Sequence, residues 1–129
     1  MNELINKIIV NESLIEDMTE KFNNGEIEET FYYRKMNGLR KNQLNFLQEL
    51  KKNITSEDAE LISCIKLDSY GKINKDNFVK SIETTKEKTA NPQKKSMLTI
   101  LLNELKEHKE DFTTFAIKGT IKVISELLK

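Results

Sequence analysis

The sequence predicts an all-α fold, a small helical bundle of about five to six helices, with long helices in the N-terminal half and at the C-terminal end. Three observations predict it. Apolar residues recur at three- and four-residue spacing along most of the chain, residues that start and stop helices sit at the edges of those stretches, and no segment shows the two-residue alternation of a strand. With 129 residues, a single helical domain over 1–129 is expected, long enough to bury roughly two-thirds of the surface exposed in the unfolded chain.

Each element follows from its own signals. Leu4, Ile8, Ile15, Met18 and Phe22 share one face of a first helix, with Ile5 and Leu14 at its edges, and Asn23-Asn24-Gly25 stops it. A second helix opens on Glu26, Glu28 and Glu29 and closes on Lys51 and Lys52, a charge order that suits the helix dipole. Its face is Tyr32, Met36, Leu39, Phe46, Leu47 and Leu50, and Asn37-Gly38 marks a kink or a break within it. Thr55 and Asp58 form a capping signal for a short third helix carrying Ala59, Leu61, Ile62 and Ile65. Asn74 caps a fourth, with Phe78, Val79 and Ile82 inward, which ends at Ala90-Asn91 before Pro92. The Lys- and Thr-rich stretch near 84–95 reads as a flexible connector. From Pro92 the stripe Leu98, Leu101, Leu105, His108, Phe112, Phe115, Gly119 continues to the end. One helix from Pro92 to Leu128 would be about 55 Å long; the capped restart at Asp111 favours two.

Composition narrows the function. The 21 basic and 21 acidic side chains cancel, so no net field draws the chain to nucleic acid or an anionic membrane. Arg occurs only at Arg34 and Arg40, and the abundance of Lys, Asn and Ile suggests an AT-rich genome, such as that of a low-GC bacterium, a phage or a plasmid. One cysteine, Cys64, allows no intramolecular disulfide, and there is neither a secretory leader nor an apolar run long enough to span a bilayer. The cytoplasm is the expected compartment, with no membrane partner.

Chemistry finds few residues to work with. Cys64 and His108 are the only Cys and His, too few for a zinc site, and Leu105 stands where a di-iron motif would need Glu. No nucleophile signature accompanies His108, which lies on an apolar stripe and reads as structural, and Cys64 reads as a small core residue. The four glycines, Gly25, Gly38, Gly71 and Gly119, are too scattered for a phosphate loop. No enzyme, metal or cofactor is expected. Residues 66–77, with Asp68, Gly71, Ile73 and the following Phe78 at the positions of the third ligand, turn glycine, central Ile and next apolar residue, resemble a degenerate EF-hand loop. Lys66, Tyr70 and Asn77 replace three of its ligands, which removes the charge that holds calcium.

What remains is surface. Phe31, Tyr33 and Leu44 lie off the main stripe of the second helix, next to Arg34 and Arg40, and aromatic residues beside arginine are typical of contact hot spots, so Tyr33, Arg34, Arg40 and Leu44 are the candidate contact surface. On the last segment Ile117, Ile121 and Ile124 form a second apolar stripe, suited either to the centre of the bundle or to a partner. The expectation is a non-catalytic interaction module: an inhibitor, adaptor or small assembly subunit, phage- or mobile-element-encoded in one version, that binds a larger protein or ribonucleoprotein or a second copy of itself. The alternative is a small DNA- or RNA-binding regulator using Arg34, Lys35, Arg40 and Lys41, or Lys75 and Lys80 of a helix-turn-helix-like segment.

Overall fold

A computed structural model of the chain describes residues 2–107 and 112–129. Among them six helices form: α1 (Asn2–Asn23), α2 (Glu29–Lys52), α3 (Ser56–Ser63), α4 (Lys75–Lys88), α5 (Pro92–Glu107) and α6 (Phe112–Leu127). The described residues contain no strand, only an isolated antiparallel bridge between Leu67 and Ile73. The all-α fold class therefore holds. Backbone contacts group the chain into two compact units, Met1–Asn53 and Ile54–Lys129.

In the first unit α1 and α2 run antiparallel, since Ile8 meets Gln43, Asn11 meets Leu39 and Thr19 meets Tyr32 through hydrogen bonds. The turn between them begins as the sequence indicates. Gly25 adopts φ 74, which lets its N–H reach the Phe22 carbonyl at 3.1 Å while Glu26 N–H reaches that of Lys21 at 2.9 Å, the paired closure of a helix end on glycine. Helix α2 continues through Asn37-Gly38. The seam itself departs from the predicted faces: Ile5, Ile8, Ile15, Leu47 and Leu50 are buried, but so are Asn11, Glu12, Arg40 and Gln43. Met18 and Phe22, and Met36, Leu39 and Phe46 on α2, are only half-buried.

The second unit has a more apolar core. Its short α3 starts on the Thr55 hydroxyl, which accepts from Asp58 N–H at 3.2 Å, and α4 starts on the Asn74 side chain, which accepts from Asn77 N–H at 3.0 Å. Between them Asp68 Oδ1 accepts from the N–H groups of Tyr70 at 2.8 Å and Lys72 at 2.9 Å, and Gly71 takes φ 73. The EF-hand-like loop is thus folded around Asp68 by its own backbone. The stretch near 84–95 is helical except at Thr89-Ala90-Asn91. Thr85, Thr89 and Lys94 within it are buried, and Asn91 caps α5 by accepting from Gln93 N–H at 2.9 Å and Lys94 N–H at 3.2 Å.

Helix α6 packs on α5 and α3. Four residues, at most about 18 Å of chain, separate Glu107 from Phe112, so α6 runs back antiparallel along α5. The sequence's choice of two helices over one is what the structure has; His108 and the Asp111 restart lie outside the described residues. Phe78, Ile82, Leu98, Leu105, Ile117, Ile121 and Ile124 fill this core, each contributing about 1.5–3 kcal/mol relative to an exposed side chain.

Candidate functional site

Three of the predicted contact residues on α6 are not available for contact. Ile117, Ile121 and Ile124 are each 0% exposed, because the stripe they form is the one α6 turns inward, as the central-helix alternative requires. Arg40 is corrected too, both as a protein contact and as a nucleic-acid contact. It is 7% exposed, and its Nη1 donates to Glu12 Oε1 at 2.8 Å, while Gln43 Nε2 donates to Glu12 Oε1 at 3.1 Å and to the Ile8 carbonyl at 2.8 Å. A buried arginine needs a carboxylate and further hydrogen bonds to offset its lost hydration. Here the carboxylate comes from the opposite helix, and Gln43 beside Arg40 binds that same carboxylate oxygen.

The rest of the α2 grouping stays accessible. Tyr33 and Leu44 are exposed at 53% and 40%, and Arg34, Lys35 and Lys41 are exposed. Tyr33 belongs to an aromatic group at the hairpin end: Phe22 and Tyr32 stack at 4.3 Å between centroids, and Tyr33 meets Tyr32 edge-on at 5.2 Å. Lys35 sits over the Phe31 ring at 5.7 Å. On α4, Lys75 and Lys80 are exposed, but Lys75 lies 5.7 Å over the Phe112 ring and both border a shallow depression where Asp76 and Glu83 offset two of the three lysines, Lys106 being the third. This mixed charge is a poor match to a run of phosphates.

Cys64 is a buried free thiol. Its Sγ donates to the Glu60 carbonyl at 3.4 Å and lies 3.6 Å from Thr85 Oγ1. Burial pushes the thiol above its ordinary value of 9.0, against the opposing hydrogen bond from Thr85, which is the reverse of what activates a cysteine nucleophile. Among the described residues no three His, Cys, Asp or Glu side chains are grouped to hold a metal ion.

The feature that sequence reading missed is an open groove of about 200 Å³ between α5 and α6. Met97, Ile100, Leu101 and Val123 form its apolar walls, with Gly119 at its floor. The glycine is what brings the helices so close at this level, since a Cβ there would lie 2.5 Å from Leu101 Cδ1. Ile100, on the rim, is 55% exposed. Glu104, Lys122 and Glu126 surround the opening. Two signals in the sequence point to it: Ile100 lies off the stripe of Leu98, Leu101 and Leu105, and a lone glycine interrupts an otherwise bulky stripe on α6. Among the described residues no helix is long and apolar enough to cross a membrane. No protein-family model, curated protein or solved structure matches this chain.

Proposed function

We propose that this chain is a non-catalytic protein-interaction module, an inhibitor, adaptor or small assembly subunit that binds a larger protein or ribonucleoprotein through the groove between α5 and α6. The observation that carries this reading is the groove itself, with its apolar walls and the half-exposed Ile100 beside it. An apolar concavity ringed by charged residues is the form taken by sites that receive a partner's side chain. Tyr33 and Leu44 supply a second accessible apolar area on α2. Cys64, kept as an unpaired buried thiol, fits a reducing compartment such as the cytoplasm.

Affinity capture from the native host, comparing the wild-type chain with Ile100→Lys, tests this. A protein should co-purify with the wild type and be lost with the variant, whose circular dichroism should match the wild type because Ile100 is not a core residue. Capture of nucleic acid that releases as salt rises, or of nothing at all, would count against the proposal.

A further inference from the structure

We infer that the occupant of the α5–α6 groove is an amphipathic partner helix that inserts one large apolar side chain and flanks it with Lys or Arg. This rests on the protein-contact reading above and adds the chemistry of the partner. Size sets the first requirement. An apolar cavity of about 150 Å³ admits a benzene ring, so the roughly 200 Å³ here takes one Leu, Met or Phe side chain.

Charge and spacing set the second. Gly119 lies level with Leu101, and the helices are antiparallel, so seven residues further along α6 Glu126 stands level with residue 94 of α5. Glu104 therefore borders one end of the groove and Glu126 the other, ten residue levels or about 15 Å apart. Two basic side chains on one helix span that distance at i and i+11, with the single apolar anchor at i+4 or i+7 facing the groove between them. Lys122 sits on the α6 side of the opening and favours a neutral or acidic residue beside the apolar anchor. Glu126 already holds Lys129 at 2.9 Å, but both are exposed, and such a surface pair contributes little to keep it from exchanging partners.

The test is a titration of the isotope-labelled full chain with two alanine- and glutamine-based helical peptides, followed by NMR. One carries Lys at i and i+11 with a single Leu at i+4; its twin carries Glu in place of both Lys. The Lys peptide should shift the amides of Ile100, Leu101, Gly119 and Val123. In the Glu104→Lys, Glu126→Lys double variant its affinity should fall about tenfold and the Glu peptide should become the preferred one. Both charge changes are on the surface, so folding is preserved and checked by the undisturbed spectrum. No shift at millimolar peptide, shifts confined to other surfaces, or equal binding of both peptides overturns the inference. So does light scattering that finds a dimer abolished by Ile100→Lys, since the occupant would then be a second copy. The two claims fail separately: a captured partner lost with Ile100→Lys but indifferent to charge reversal leaves the contact module intact and removes the basic helix.

Discussion

Arg40 shows how one side chain decides between a surface and a core. It is paired with Glu12 at 2.8 Å, and the two side chains are 8% and 0% exposed, so removing the arginine takes a charged donor away from a buried carboxylate. Arg40→Met is expected to destabilise the chain by about 3–5 kcal/mol, whereas Glu12→Met with Arg40→Met should recover part of that loss, because no buried charge is left unpaired although Gln43 Nε2 loses its Glu12 acceptor. Urea unfolding of the two variants measures this directly. Cys64 gives a pH dependence of opposite origin. Its folded-state value is raised above 9.0 by burial, so below that pH both states keep the proton and the thiol adds no slope. As pH rises past 9, the unfolded thiol ionises first and stability falls until the folded value is reached. In Cys64→Ala that alkaline part of the decline should disappear, read as the difference between wild-type and variant stability from pH 8 to 11.

At the scale of elements, the glycines separate cleanly by what surrounds them. A Cβ at Gly38 would meet nothing within 4 Å, and Gly38 has no positive φ, so Gly38→Ala in α2 should stabilise by about 1 kcal/mol through helix propensity. Gly25, also in open space but at φ 74, should lose about 1–2 kcal/mol as Ala. Thermal melts of the two variants should move in opposite directions. The helices were largely legible because their caps are local: Thr55, Asn74, Gly25 and Pro92 each act within four residues. The side-chain arrangement was less so. Glu12 follows Ile8 by four and precedes Ile15 by three, so it lies on the apolar stripe of α1, and Arg40 sits likewise on α2 between Met36 and Leu47. A charge on each of two facing stripes is a readable sign of a buried pair, but periodicity alone ranks arginine as solvent-facing. The groove was harder still, because it depends on which residues of α5 and α6 stand level with each other.

Across the whole molecule the two units differ in what holds them. The unit Ile54–Lys129 has α4, α5 and α6 around Phe78, Leu98, Leu105 and the isoleucines Ile82, Ile117, Ile121 and Ile124, and as a separate fragment it is expected to stay helical with a cooperative melt. The unit Met1–Asn53 is a single helix pair whose seam is shared between apolar side chains and Asn11, Glu12, Arg40 and Gln43. Below about 70 residues such a core supplies little surplus stability, so this fragment should show weak, non-cooperative helicity. Circular dichroism of both fragments on heating checks the contrast; equal cooperativity would contradict it. Gly119 carries a consequence on another axis. The groove depends on a missing side chain, and glycine codons lie one base change from those of alanine, valine, aspartate and glutamate. A lineage can therefore close or recharge this groove in a single mutational step while every residue of the inward α6 stripe stays the same.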